Sequence, residues 1–196
     1  MKHNSTMTAH LVLIHELFQA DAHKRLEKGL EKFGYRKITP QIEIFGKQRV
    51  IALTTDLDLP HLDFLYLPNH EDHIPDCTLN SVRVVLSGIH LPDDYCHTYR
   101  RSRITVNNSC HATFENDCND LVLAADAPRE ISPAMRDHKM QTILNELHHA
   151  AKYFIHADEL CRAASQYADV PEMFAAISKM LPPAHLPKPA AMFATA

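Results

Sequence analysis

Hydrophobic residues in the first third of the chain recur every three to four positions. Leu11, Ile14, Phe18, Leu26, Leu30 and Phe33 keep that spacing over residues 8–33, with a gap around Ala22. The spacing predicts one helix, with Thr8 as N-cap and Gly34 as its stop. Its polar side carries Lys24, Arg25, Lys28 and Lys32 among Glu27 and Glu31, which reads as a solvated face. The chain then becomes β-prone. Gln41–Phe45 and Arg49–Thr54 flank Gly46-Lys47 and predict a hairpin. Residues 56–81 hold no sustained period and are broken by Pro60, Pro68 and Pro75, so they are expected to form a long loop.

Short strands are expected at Val82–Leu86, Arg103–Val106, His111–Phe114 and Leu121–Ala124, the middle two forming a second hairpin around residues 107–110. Ser132-Pro133 then opens a long helix, serine as N-cap and proline at the first helical position, running to about Tyr167. Asp169-Val170-Pro171-Glu172 opens a short closing helix, and residues 182–196 hold four prolines and read as an extended tail. The expected fold is therefore α+β, a single domain over residues 1–181. In it an N-terminal helix and a C-terminal helical part (133–181) pack on a small antiparallel sheet drawn from residues 41–124.

Composition removes several kinds of chemistry. The four glycines, Gly29, Gly34, Gly46 and Gly88, never approach the spacing of a phosphate-binding loop or a nucleophile elbow. Residues 1–54 carry nine basic and five acidic groups, whereas residues 55–130 carry five basic and thirteen acidic groups. A net charge of −4 lacks the basic excess of a general nucleic-acid binder. Five scattered cysteines without a C-x-x-C form no disulfide framework and point to a reducing, cytoplasmic setting. No apolar run reaches the roughly 18 residues of a membrane span, so no membrane partner is expected. Fifteen histidines make the surface charge sensitive to pH between ~7.5 and ~5.5.

Candidate chemistry is therefore sought among histidines and their neighbours. His15-Glu16-Leu17-Phe18-Gln19 has the start of a helical zinc motif but glutamine where the second histidine belongs. Glu146-x-x-His149 resembles half of a di-iron bundle site, with His156-x-x-Glu159 further along the same helix. His70, His73, Asp76 and Cys77 form the densest run of metal-ligand residue types, which Cys96-His97 or Cys110-His111 could complete; zinc is thus the one cofactor left open. His111-Ala112-Thr113 matches half of a two-histidine phosphoesterase pattern, and His97 is the other histidine to consider in an enzyme. Tyr99, Arg100, Arg101 and Arg103, with Tyr95, form the single basic–aromatic cluster, suited to an anion or nucleic acid.

The C-terminal half resembles small bacteriophage accessory proteins of the nucleotide-modification-associated domain 5 type. The features that carry it are the Ser81–Leu86 strand followed by Leu91-Pro92, the long polar helix, and the closing segment from Val170-Pro171-Glu172-Met173 to Met180-Leu181-Pro182. Where that group would have Trp-Pro-Glu, this chain has Val170-Pro171-Glu172 and contains no tryptophan. The resemblance implies a phage setting near DNA-modification genes and supplies no catalytic residues. The leading expectation is a non-enzymatic phage or mobile-element accessory protein that binds a host or viral macromolecule, with a protein partner favoured, nucleic acid open, and self-association through the long helix open. An enzyme of nucleotide or nucleic-acid modification with a His/carboxylate site, and a metal-stabilised binding domain, are the alternatives.

Overall fold

The computed structural model describes residues 6–45, 48–59, 62, 77–91, 96, 103–106, 109–128, 132–166 and 172. Among the described residues it is α+β, with seven antiparallel strands in one sheet and two helices with described bounds. The strands are β1 (Thr8–Leu17), β2 (Thr39–Phe45), β3 (Gln48–Leu57), β4 (Cys77–Ser87), β5 (Ile104–Thr105), β6 (His111–Glu115) and β7 (Asp120–Asp126). The helices are α1 (Ala22–Lys32) and α2 (Pro133–Ala164). The strand order is β2-β3-β1-β4-β7-β6-β5. The sheet is larger than expected because the first strand was hidden in what reads as helix.

That correction has a physical cause. The apolar positions Leu11, Ile14 and Phe18 fit a helical spacing, yet β1 alternates strictly between buried and half-exposed residues from Ala9 to Leu17. Ala9, Leu11, Leu13, His15 and Leu17 face inward, while His10, Val12, Ile14 and Glu16 face out. Phe18, in the supposed helical stripe, is 61% exposed. The real helix starts at Ala22, where the spacing had its gap, and buries Ala22, Leu26 and Leu30. Gly34 does stop it, with φ of 90° that a side chain would resist.

The two predicted hairpins are present. Phe45 pairs with Gln48 in the β2–β3 hairpin, and Ile104 pairs with Ala112 between β5 and β6. The proposed loop over 56–81 is shorter than expected at both ends, since β3 runs to Leu57 and β4 begins at Cys77. The register of β1 against β4 slips between Ile14 and His15, making Asn80 the extra residue of a bulge. The slip turns Leu79 and Cys77 inward, where they pack on the core. The closing helix and the 182–196 tail lie outside the described residues, apart from Glu172.

Cross-strand partners share a face, so the register sorts the sheet into two faces. The inner face runs through Leu53, Leu13, Val82, Ala125 on one row and Leu11, Val84, Leu123, Ala112 on the next. All of these are buried, and they form one continuous core with Leu26 and Leu30 of α1 and Leu147, Ala151 and Phe154 of α2. Helix α2 has 32 residues and is about 48 Å long at ~1.5 Å per residue. Its apolar residues Leu147, Ala151 and Phe154 are buried in this core. The outer face carries no described helix or strand over it.

One polar clasp anchors the C-terminal end of α2. Asp158 is 2% exposed. It accepts from the backbone N–H of His90 at 2.5 Å and from Nε of Arg162 at 2.6 Å. Arg162 Nη2 donates in turn to the carbonyl of Gly88 at 2.6 Å. Gly88 adopts φ of 72°, and its N–H bonds Asn119 of the β6–β7 connection at 2.8 Å. The clasp thus ties the helix to the exits of two central strands. Replacing Asp158 by alanine removes the acceptor of Arg162 Nε and of the His90 backbone N–H from a buried position. Asp158→Ala is expected to lower the unfolding free energy by about 3 kcal/mol in urea denaturation. Glu159→Ala, which removes only the exposed pair with His156, is expected to change it by less than about 0.5 kcal/mol.

Candidate functional site on the outer face of the sheet

The outer face has an apolar middle and polar borders. Val12, Ile14, Val50, Ala52 and Val85 are partly exposed there, and Val122 and Ala124 are more deeply set. Two polar groups flank this strip, and both are built by neighbouring strands rather than by neighbouring residues.

The first lies across β1 and β3. His10 and Asp56 are cross-strand partners 46 residues apart in sequence. His10 Nδ1 lies 3.0 Å from Asp56 Oδ1, and its Nε2 lies 3.3 Å from the Thr8 hydroxyl. Lys37 donates to the other carboxylate oxygen at 3.5 Å. Beside them opens a cavity of about 320 Å³, lined by Thr8, His10, Asp56 and Asp58 with the apolar Met7 and Leu57. Carboxylate, imidazole and hydroxyl in this order can polarise a hydroxyl. Here the Asp56 side chain is 55% exposed and shared with Lys37, so water and the ammonium weaken its pull on the ring. Sequence reasoning missed the pair because it placed His10 on a helix and Asp56 in a loop. The signal that could have found it is the alternation of β1.

The second lies across β4, β7 and β6. Arg103 Nη2 stands 2.9 Å from His111 Nδ1. His111 is opposite Ala124, which is opposite Arg83, so both basic side chains flank one small residue. Desolvation, then the Arg103 guanidinium, hold His111 below the usual imidazole range; Asp126 opposes them and Arg83 adds to them. Two of the predicted site residues, His111 and Arg103, are thus brought together. Thr113 shares the outer face with His111, two residues on, so the half-motif is at least presented on one side.

The other candidates separate. His97, Tyr99, Arg100, Arg101, His70, His73 and Asp76 lie outside the described residues. Cys77 begins β4, half-buried against the core. Among the described residues no three His, Cys, Asp or Glu side chains gather around a common point that could hold a metal ion. Cys110 is buried, and burial, then the Glu146 carboxylate, push its thiol up to about 12, so it is no thiolate nucleophile at neutral pH. Glu146 is half-buried beside it, while His149 is exposed with its ring 6.0 Å from that of His148. That leaves Glu146-x-x-His149 as helix surface and flank. Among the described helices, none is long and apolar enough to cross a membrane.

His15 corrects the zinc-motif reading. It sits on a strand, so His15 points into the core and Glu16 points out, where Gln48 donates to it at 3.3 Å. His15 is 5% exposed, level with Ile51 and Leu79, and neither ring nitrogen has a hydrogen-bond partner. Burial drives its pKa down to about 3.

Two measurements follow. The unfolded chain binds a proton at His15 near ~6.5 while the folded chain resists it down to about 3, so this contribution to stability is complete above ~6.5 and drains away at up to ~1.4 kcal/mol per pH unit as pH falls through that window. His15→Leu is expected to raise stability by about 1–3 kcal/mol at pH 7 by removing the unpaired polar ring, and by more at pH 5. Urea titrations at the two pH values check it; an equal effect at both would contradict it. On the outer face, Arg103→Leu is expected to raise the His111 pKa in an NMR titration of the ring protons, and an unmoved or lower value would contradict the pairing.

No known protein family matches the sequence, and no curated protein matches it. Among solved structures it is similar to the regulatory subunit of aspartate kinase from Thermus thermophilus in its ligand-free form, at 12% identity, over 74% of this chain and 97% of that one, with a TM-score of 0.25. The regulatory subunit of aspartate kinase from Thermus flavus gives 12% identity, 74% and 95% coverage, and a TM-score of 0.26. Likeness at this level carries no argument about this chain.

Proposed function

We propose that this chain is a non-enzymatic accessory protein of a bacteriophage or other mobile element, working in the bacterial cytoplasm by binding a host or viral macromolecule. The observation that carries the binding part is the outer face: an apolar strip left beside charged borders, on the side of the sheet opposite the core. Burying partly exposed Val12, Ile14 and Val85 gives a non-directional driving force. The borders then select which partner fits. A protein suits this face better than a nucleic acid. Its arginines, Arg83 and Arg103, share it with Asp56, Asp126, Glu16 and Glu43, and its described side chains include no Phe, Tyr or Trp ring on which a base could stack. The phage setting rests on the resemblance of the C-terminal half alone.

The His10–Asp56–Thr8 row favours one second reading, an enzyme of nucleotide or nucleic-acid modification that uses this His/carboxylate pair in place of His97. The readings part on two substitutions. Val12→Lys is expected to abolish retention of a stoichiometric partner on immobilised protein, whereas Met135→Lys, at the exposed start of α2, is expected to leave it intact. Turnover of a nucleotide or nucleic acid that His10→Ala removes, with no partner retained, would overturn the binding reading.

A further inference from the structure

The outer face is self-complementary, and we infer that the partner it fits is a second copy of this chain. The inference rests on the binding reading above and names its occupant. It follows from the strand register. Leaving aside the edge strand β2, six strands remain in the order β3-β1-β4-β7-β6-β5. A two-fold axis parallel to the strands, lying between the two sheets over the β4–β7 boundary, divides them three and three. It lays β4 on the partner's β7, β1 on its β6 and β3 on its β5.

The rows of the outer face can then be read against each other. One row holds Asp56, His10, Val85, Val122 and Thr113, each the cross-strand partner of the next. Pairing of Thr105 with His111 and of Ile104 with Ala112 sets Arg103, the next residue, level with Thr113 at the end of this row. Under the axis Asp56 meets the other copy's Arg103, His10 meets Thr113, and Val85 meets Val122. The neighbouring row holds Thr54, Val12, Arg83, Ala124, His111 and Thr105. Here Thr54 meets Thr105, Val12 meets the His111 ring, and Arg83 meets the small Ala124 with Asp126 one row away. No like charges are opposed in either row. The two end pairs, Asp56 with Arg103 and its symmetry mate, close the rim on both sides of the apolar strip.

Size agrees. Six strands at ~4.8 Å and some six residues at ~3.4 Å make a patch of roughly 600 Å², of the order of the ~800 Å² per partner that a standard interface buries. Of the facing residues near the axis, Val85 is partly exposed and has surface left to bury, while Val122 and Ala124 are already down to 6% and 8% exposed in the single chain. Asp56 keeps 55% of its side chain exposed in the single chain and Arg103 is exposed, so both are available to the other copy.

Charge reversal provides the test, read as mass in solution by sedimentation. The unaltered full chain is expected at twice its 22.3 kDa mass. Arg103→Asp and Asp56→Arg are each expected to raise the dimer dissociation constant at least about tenfold, because each sets like charges against each other at both ends of the interface. Mixing the two altered chains in equal amounts is expected to restore the dimer, since both contacts are then made between opposite charges. Val12→Lys removes the dimer by a route independent of the rim. A fold check by circular dichroism accompanies each variant. Dimers that survive both reversals and Val12→Lys overturn the inference, as does a mixture that stays monomeric when both single variants dissociate. A monomeric wild type that retains a different protein, in a manner Val12→Lys abolishes, overturns the second-copy assignment and leaves the binding reading standing. A monomer that retains nothing overturns both.

Discussion

Both described helices draw on the same side of the sheet, and the rest of the molecule depends on that one-sided burial. The alternation of β1, and of β4 from Val82 to Ser87, divides these strands between a face that must lose water and a face that need not. On the inner face Leu11, Leu13, Val82, Val84, Leu121 and Leu123 are almost fully buried, each contributing about 1.5–3 kcal/mol when removed from water. The outer positions of β1 and β4 stay partly exposed at Val12, Ile14 and Val85, whereas those of β7, Val122 and Ala124, are buried. Their composition is informative for that reason. Threonines and charges alone would suit water, but Val12, Ile14, Val50 and Val85 do not.

Two buried polar groups show how tightly the inner arrangement is constrained. Asp158 is tolerated because Arg162 and the His90 N–H satisfy it, and the result pins α2 to the strand exits. His15 has no such partner, so the fold accommodates it as a neutral ring at a cost that rises with acidity. The bulge at Asn80 lies directly beside it, where the β1–β4 register slips. Among the described histidines, this one is distinguished by being kept from water.

The strands most legible in sequence were those bounded by turn residues and filled by one type of side chain: the hairpin around Gly46-Lys47, and the β5–β6 and β7 segments. The long helix was legible from Ser132-Pro133 onward. β1 was not, for a specific reason. A polar histidine occupies an inner position at His15, and apolar Val12 and Ile14 occupy outer ones, so the two-residue period is blurred and a helical spacing shows through. The site was half legible. His111 and Arg103 stand eight residues apart and could be associated by the hairpin between them. Arg83, Asp126, His10 and Asp56 join the same face only through the order β3-β1-β4-β7-β6, which local periodicity does not encode.

The outer face as the working surface is tested most directly by methyl NMR with a soluble paramagnetic probe, recorded on dilute protein and again with the face occupied. The methyl signals of Val12, Ile14 and Val85 should be strongly broadened by the probe in the dilute sample and protected on association, while those of Leu11, Leu13 and Val84 should stay sharp throughout. Equal protection of Val12 and Leu11 in the dilute sample would contradict the account, because it would mean that the outer face is already covered within the single chain.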